Sequence, residues 1–439
     1  MTTRSLVVGA VLVLGTISQA GALTLREAED KALAANPKVQ AARLDALAAG
    51  ERTAQATSRH FGELDLVGSY ANFESPRLVR PMSIDLFTNP QAGFSQLPWD
   101  TSQVHYGAAF HLPLLAAGTL QEGDRIARAA QAAAEQMAQF SREEIRTAVR
   151  AAYRNALLAR HALAAAQGYL EALARDEADA QLKVRIGALA PVDAAKLTFA
   201  LRGAEAQVAG LVAQGRTAQA ALAALLGEAL PAQGYELIEL ADEPSPPNAT
   251  GDAVQEALSG RLDLAAARQA TLVSERKKVL AREAFGPRLS LEGNWLRNGG
   301  LSLDRTLDTH ELYVVLKLPI FDGMARAHAV KEAELNLQAA RERERAKELE
   351  VAAQVTDALG RVEAAQGHLA AGRAQRELGR EVARVEHLKL EQGTGKVEDY
   401  LAARAQELAG ETSYWAGLYA YQNAVDYLNF VSGREGAEQ

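Results

Sequence analysis

The sequence contains an internal duplication, which constrains the fold more than any other feature. KALAANPKVQAAR at 31–43 resembles EALSGRLDLAAAR at 256–268, and LDLVGSY resembles LSLEGNW at the same spacing of 225 residues. Three later pairs match at a spacing of 206: HLPLLAAG with KLPIFDG, IGALAPVD with QGTGKVED, and ALLG with NFVSG. We therefore expect two repeats with one order of elements, at 23–240 and 251–433, joined by the proline-rich linker 241–250.

Each repeat contains two segments with the period-two alternation of β-strands. Strands are predicted at about 61–70, 105–113, 287–296 and 311–319. Each has an apolar and a mostly polar face, which is the pattern and length of outer-membrane barrel strands. The intervening segments, 71–104 and the shorter 296–310, are predicted to be loops, and the first of these is expected to face the cell exterior. That loop either lacks a function or partly plugs a pore.

Very long helices follow the strands. No proline occurs between Pro113 and Pro191, and none occurs after Pro319. The stretch 123–185 is about 60 residues, or on the order of 90 Å as a helix. Such a length is unsuited to a compact domain and indicates coiled-coil packing. Helices are predicted within about 120–227 and 324–433, followed by a short tail at 434–439.

The first 22 residues resemble a secretory signal peptide, with Arg4, an apolar run and AGA before the expected cleavage site. An N-terminal membrane anchor is the alternative, but the run is shorter than the roughly 20 residues that span a bilayer. The chain has no cysteine, which excludes disulfides, cysteine catalysis and lipoprotein acylation. The net charge of −8, with no long basic run, gives no reason to expect nucleic acid.

Four amphipathic strands exposed to lipid cannot remain an open sheet, because unpaired backbone groups in lipid cost several kcal/mol each. They are also too few to close a barrel, since the smallest barrels have about eight strands. A barrel shared between two or three copies of the chain would solve both problems. The alternative is a soluble periplasmic coiled-coil scaffold in which the strands pack in a cap.

Three segments carry a family resemblance. LTLREAEDKALAANPKV from Leu23 resembles the N-terminal signature of TolC-like outer-membrane efflux proteins. LKLPIFDGMARA resembles that family's strand-to-helix junction, and KLEQGTGKVEDYLAARAQ resembles its helical hairpin tip. Two departures are modest: the second repeat has SGRLDL where the first has AANPKV, and LPLLAAG has one residue more than LPIFDG before its glycine.

The resemblance implies a fold that is mainly α with a small transmembrane β portion. Duplicated strand–strand–long-helix–helix repeats would form a trimeric β-barrel on an α-helical barrel. It also implies a passive outer-membrane channel of a Gram-negative bacterium, with a large periplasmic extension. Its partners would be two more copies, a periplasmic adaptor, an inner-membrane pump and outer-membrane lipid. Tripartite efflux is the expected function, and type I protein secretion is the alternative.

The resemblance also assigns candidate sites. The hairpin turns should dock the adaptor or pump, through Arg185, Ile186, Gly187, Ala188, Leu189, Gln392, Gly393, Thr394, Gly395 and Lys396. Nearby acids are candidates for a periplasmic gate, or for an exposed helix face with local ion pairs: Asp176, Asp179, Glu377, Glu381 and Glu386. The strand-to-helix junctions contain Pro113, Gly118, Pro319 and Gly323, with each proline expected to end its strand.

Catalytic and cofactor sites are not expected. The eight histidines are scattered without HExxH spacing, and no G-x-S-x-G or Walker pattern occurs. The sequence therefore predicts neither an enzyme nor a bound metal or cofactor.

Overall fold

The computed structural model describes residues 22–79, 97–240 and 253–434. The predicted signal peptide before residue 22, the linker 241–250 and the tail beyond residue 434 lie outside these ranges. The central part of the predicted loop 71–104 lies outside them as well.

The elements follow the predicted order in both repeats. The first repeat comprises α1 (Leu25–Ala35), α2 (Pro37–Ser58), β1 (Glu63–Leu78), β2 (Trp99–Ala116), α3 (Thr119–Arg185) and α4 (Pro191–Leu226). The second comprises α5 (Ala253–Gly260), α6 (Leu262–Glu283), β3 (Arg288–Gly300), β4 (Thr306–Lys317), α7 (Ala325–Glu391) and α8 (Val397–Val431). A 3₁₀ turn, Arg59–Phe61, precedes β1.

The spacings found in the sequence hold in the structure. Helices α2 and α6 have 22 residues each and begin 225 residues apart, at Pro37 and Leu262. Helices α3 and α7 have 67 residues each and begin 206 residues apart, at Thr119 and Ala325. At 1.5 Å per residue each long helix extends for about 100 Å. The helices that follow the same order in the two repeats therefore begin at the spacings found in the sequence.

The strands are longer than the sequence predicted. β1 has 16 residues and β2 has 18, so the predicted loop 71–104 is strand at both ends. The loop predicted at 296–310 shrinks in the same way, since β3 continues to Gly300 and β4 begins at Thr306. The prediction stopped early because polar and proline residues hide the alternation in ESPR of β1, where cross-strand pairing resumes after a register shift between Asn72 and Arg77.

The four strands form one antiparallel sheet in the order β1-β2-β3-β4. The central pair, β2 with β3, joins the two repeats. One face of the sheet carries large apolar side chains that remain exposed, including Leu66 at 91% exposure and Leu312 at 68%. A sheet that leaves leucines open on one face is suited to an apolar environment.

The described residues divide into two compact units that do not coincide with the repeats. The first unit is drawn from Met1–Gln40, Ser141–Ala257 and Gln354–Gln439. One of its apolar cores surrounds Tyr153, whose hydroxyl lies 2.7 Å from the carbonyl oxygens of both Leu23 and Ile238. The second unit, Ala41–Phe140 with Leu258–Ala353, contains the whole sheet. Each unit thus takes segments from both repeats.

Among the described residues, no helix combines the length and apolar character that crossing a membrane requires.

Candidate functional site

Both hairpin turns begin with the same helix cap. After α3, Ala188 N donates to Lys183 O at 2.8 Å and Gly187 N donates to Val184 O at 3.1 Å. After α7, Thr394 N donates to Lys389 O at 2.9 Å and Gly393 N donates to Leu390 O at 3.2 Å. These are paired Schellman bonds, and they require a left-handed residue, which glycine adopts at least cost. Gly187 and Gly393 have φ of 75° and 71°.

The returning helices start without a side-chain cap. Ala190 precedes Pro191, the first residue of α4, and Lys396 precedes α8. Acidic residues in the first turns, Asp193 of α4 and Asp399 of α8, compensate by lying at the positive ends of the helix dipoles. The local chemistry of each turn is therefore that of a tight helix reversal.

An ion-pair group joins the two hairpins across the repeats. Lys196 Nζ on α4 lies 2.7 Å from Glu398 on α8 and 3.0 Å from Asp193 on its own helix. The hydrogen bond to Glu398, followed by that to Asp193, raises the pKa of Lys196. All three side chains retain substantial solvent exposure, so the group orients the hairpins more than it stabilises them.

Most of the predicted docking residues are exposed. Ile186 is 71% exposed. Arg185, Gly187, Ala188, Gln392, Gly393, Thr394 and Lys396 are exposed as well. Leu189 and Gly395 differ, because both are half-buried. Leu189 packs against an apolar cluster that includes Leu173 and Val397. A Cβ at Gly395 would meet Lys389 Cβ at 2.9 Å. These two residues shape the turns, while the others form their open surface.

The predicted gate acids divide into two groups. Glu381 pairs with Arg384 at 2.6 Å, and Glu386 pairs with Lys389 three residues on. Asp179 and Glu377 are exposed. Glu381 and Glu386 thus make the local ion pairs that the alternative interpretation expects, and the assignment of these four acids to a gate stays a prediction.

Asp176 is different, because it bonds across helices. The hydroxyl of Tyr400 on α8 donates to Asp176 Oδ2 on α3, and the Tyr400 side chain is fully buried. Arg404 Nε donates to the same phenol oxygen at 2.9 Å and is itself held by Glu407 at 2.9 Å. Burial, with the hydrogen bond to Asp176, raises the pKa of Tyr400. This set of four side chains, here termed the Tyr400 link, ties the first repeat to the second just above the turns.

Sequence analysis missed Tyr400 and Arg404. Tyr400 lies in the segment identified as the hairpin tip, and aromatic residues make up only 5% of the chain. Arg404 follows four residues later, on the same helix face. These features could have identified the pair, but their contact with Asp176 spans 224 residues of sequence and required the fold.

The strand-to-helix junctions correct two expectations. Pro113 does not end its strand: β2 continues to Ala116 through a register shift between Pro113 and Leu115. Pro113 remains opposite Ser290, and the irregularity falls at the next residue, where Leu114 has no partner in the β2–β3 register. Proline is found in sheets mainly at edges and beside such bulges. In the second repeat β4 ends at Lys317, before Pro319.

The supposed extra residue in the first junction is not an insertion. Ala117 and Gly118 have φ of 49° and 85°, and their equivalents at a spacing of 206, Gly323 and Met324, have 68° and 72°. Each junction thus makes the same sharp turn with two consecutive left-handed residues. Glycine occupies the second position in one repeat and the first in the other.

In the described residues, no group of three or more His, Cys, Asp or Glu side chains is arranged to hold a metal ion.

A family model described as "Outer membrane efflux protein" matches the chain twice, over residues 29–228 and 253–434. The chain therefore belongs to the outer membrane efflux protein family, and the two matches follow the two repeats. No curated protein sequence matches the chain significantly.

Solved structures show the same fold. A membrane protein from Pseudomonas aeruginosa has a TM-score of 0.76 at 22% identity, covering 93% of each chain. The CmeC outer membrane channel of Campylobacter jejuni has a TM-score of 0.76 at 18% identity, covering 93% of this chain and 85% of that one. VceC of Vibrio cholerae, an outer membrane protein, scores 0.75 at 18% identity, with 93% and 96% covered. The predicted TolC-like resemblance and mainly α fold class are thus confirmed.

Proposed function

We propose that the protein is a passive outer-membrane channel of a Gram-negative bacterium, built from three copies of the chain. It would carry substrates from a periplasmic adaptor and an inner-membrane pump to the exterior. Family membership supports efflux as the process, and CmeC, which shares the fold, is described as an outer membrane channel. The pump partner supplies the energy in this proposal.

The open apolar sheet is the observation that carries the proposal. Leu64, Leu66, Leu312, Val314 and Leu316 are each more than 60% exposed and lie on one face. Exposure on this scale in water would promote aggregation, whereas in lipid it is favourable. Lipid in turn forbids open strand edges, and a four-stranded sheet has two of them. Three copies would give a closed barrel of about twelve strands with room for a lumen.

The Tyr400 link is the proposed closing element of the channel. It holds α3 and α8 together beside the turns, through a hydrogen bond from the buried Tyr400 side chain to the half-buried Asp176 carboxylate. The exposed turn residues, such as Arg185, Ile186 and Lys396, are the proposed adaptor surface. An adaptor that separates the helices at the turns would break the link and widen the lumen.

Membrane fractionation and electrical recording test the proposal together. We expect the full-length chain in the outer-membrane fraction, extracted only by detergent and migrating as a heat-modifiable trimer. In planar bilayers it should form discrete conducting channels. A protein released by salt or alkali without detergent, with no channel activity, would instead support the periplasmic scaffold.

A further inference from the structure

The sheet has two edges with unpaired backbone groups. β1 and β4 each have one strand neighbour within the described residues, so one row of N–H and C=O groups on each strand lacks a ladder partner there. Leu66 on β1 and Leu316 on β4 are both strongly exposed. Such edges require a partner strand.

The repeats preserve strand register. In the first repeat Glu63 lies opposite His111. Adding the spacings of 225 for the first strand and 206 for the second gives Arg288 opposite Lys317, and this pair is the one observed in β3 and β4. The two spacings found in the sequence therefore transfer a strand pairing from one repeat to the other without error.

The same transfer can be applied to the pairing between the repeats. There, β2 meets β3 with His111 opposite Glu292 and Phe110 opposite Gly293. Strand β4 is the equivalent of β2, and β1 is the equivalent of β3. We propose that β4 of one copy pairs antiparallel with β1 of a second copy in the transferred register, with Lys317 opposite Val67 and Leu316 opposite Gly68. This inference rests on the proposed trimer and specifies its strand interface.

The alternation of the two strands supports this register. Leu316 and Gly68 both lie on the apolar face of the sheet, and so do the next pair, Val314 and Tyr70. A slip of one residue would place the apolar side chains of one strand beside the polar side chains of the other. Lys317 would also lie diagonally opposite Asp65, a favourable charge arrangement on the polar face.

A glycine provides a second, independent argument. At the interface between repeats, a Cβ at Gly293 would lie 2.4 Å from the ring of Phe110, so the glycine makes room for that ring. Gly68 is its equivalent, yet the nearest atom to a Cβ there is His105 O at 4.0 Å. The proposed register fills this open position with Leu316 of the second copy.

The end of β4 gives a third argument. At the end of β2, residues 112–113 pair with β3 before the bulge, and residues 115–116 pair with it beyond the bulge. The equivalent segment 318–322 has no ladder partner in the described residues. Ile320 is 90% exposed and Phe321 is 82% exposed. In the proposed register this segment would extend β4 along the start of β1 in the second copy.

Paired cysteines test the register directly, because the chain has no cysteine of its own. The test variant is V67C/K317C, oxidised with copper–phenanthroline in outer membranes and analysed on non-reducing denaturing gels. We expect disulfide-linked dimers and trimers, which neither single cysteine variant gives. The slipped pair S69C/K317C should link far less. H111C/E292C is the equivalent pair inside one chain. It should form an intramolecular disulfide, so the protein still migrates as a monomer on the gel, and its yield shows how readily a cysteine pair at this cross-strand position oxidises.

The outcomes separate the register from the trimer. A second pair, S69C/V315C, lies in the same proposed register. It provides the test if V67C/K317C fails to fold or to form the oligomer. Linking by the slipped pair but by neither register pair, in protein that is trimeric by native mass, would overturn the register and leave the channel intact. A cysteine-free protein that is monomeric in detergent, with no intermolecular linking in any variant, would overturn both. Disulfides formed within one chain by V67C/K317C would also contradict the inference.

Discussion

The phenol hydroxyl of Tyr400 lies between two helices that belong to different repeats. The hydroxyl donates to Asp176 and accepts from Arg404, so both of its hydrogen-bonding capacities are used. A buried polar group that is fully satisfied favours one arrangement of its neighbours, because any other arrangement leaves it unpaired. The Tyr400 link is thus suited to hold α3 and α8 in the arrangement seen here, against one in which the two helices are separated.

Tyr400→Phe should weaken the closed arrangement of the channel. The ring still fills its site, but the bond to Asp176 is lost, at a cost of about 1–2 kcal/mol. That cost shifts a closed-to-open ratio about tenfold, since 1.4 kcal/mol corresponds to a factor of ten. The measurement is single-channel conductance and open probability in planar bilayers, both of which should rise.

Tyr414→Phe is the matched control for this change. Tyr414 lies on the same helix, and its ring contacts the Arg376 guanidinium, 3.5 Å from the ring centroid, and the edge of the Trp415 ring. Loss of its hydroxyl should leave conductance unchanged. Equal effects of the two substitutions would mean that the Tyr400 link does not control the channel.

Glu283, at the end of α6, should make stability depend on pH. Partial burial, with the nearby Glu122 carboxylate, raises the pKa of Glu283 above its ordinary value. Because the pKa of Glu283 is higher in the folded than in the unfolded protein, its protonation favours the folded state. This contribution to the free energy of unfolding is complete below the unfolded pKa and is lost as pH rises through the folded pKa. At neutral pH the charged Glu283 therefore destabilises the fold.

Glu283→Gln should accordingly raise the melting temperature at pH 7 and have little effect near pH 4, where the native carboxyl is protonated. Scanning calorimetry of both proteins in one detergent, at several pH values, provides the comparison. A stabilisation that is the same at both pH values would show that the charge is not its cause.

At the scale of elements, α6 begins with a buried charge cluster that the first repeat lacks. Asp263 lies 2.7 Å from Arg261 and 3.0 Å from Lys347, and both Arg261 and Asp263 are buried. The equivalent of Arg261 in the first repeat is Asn36, which instead donates to Leu225 O at 2.8 Å. The sequence difference between SGRLDL and AANPKV thus corresponds to different contacts at the helix start: a buried ion-pair cluster in the second repeat and a hydrogen bond from Asn36 in the first.

Asp263→Ala should destabilise the protein strongly. Burial alone would raise the pKa of Asp263, but hydrogen bonds from Arg261 and Lys347 lower it, so the carboxylate is charged and needed by both cations. Its removal takes away a buried carboxylate that is paired with two cations, one of them the buried Arg261, at a cost of about 3 kcal/mol. Denaturant unfolding should show the loss at neutral pH, and the difference should narrow in acid as the native carboxyl is protonated. Asp263→Asn, which keeps the shape, should separate charge from packing.

Replacing glycine by alanine should change stability in opposite directions at a helix cap and inside a helix. Gly187→Ala places a side chain at φ of 75°, which should destabilise the hairpin by about 1 kcal/mol. Gly168→Ala lies inside α3, where an added Cβ meets nothing within 4 Å. There alanine should stabilise by about 0.5–1 kcal/mol, because it favours helix. Thermal unfolding of the two variants provides the comparison, and destabilisation by both would contradict the argument.

At the scale of the whole molecule, the duplication let the sequence predict the order, type and equivalence of the elements. Patterns repeated along the chain are local, and the helix caps at Gly187 and Gly393 could be identified from the turn residues alone. Contacts between distant segments could not, because no local pattern pairs Asp176 with Tyr400 or Asp263 with Lys347. Strand lengths were underestimated for a related reason: β1 resumes pairing with β2 at Arg77 and Leu78, beyond the irregular stretch that ends the alternation in the sequence.

The two turns together give the molecule one exposed surface of known composition, on which docking can be tested. Arg185 and Lys396 are exposed cations on different repeats, and each lies beside a glycine-ended turn whose geometry is set by backbone bonds. Reversing both charges should leave the fold intact, because exposed charges contribute little to stability. A docking partner that binds these two cations through acidic side chains should nevertheless lose affinity, since like charges would then meet across the interface.

The variant R185E/K396E should therefore reach the outer membrane and conduct ions normally, while cross-linking to the adaptor and resistance to pump substrates fall together. R216E/R345E is the matched control, with the same change of net charge at exposed positions away from the turns. If the tip variant retained full resistance and cross-linking, docking through these side chains would be excluded. If both variants lost resistance equally, net charge would be responsible. Loss confined to R185E/K396E, with unchanged conductance, would separate partner recognition from the pore itself.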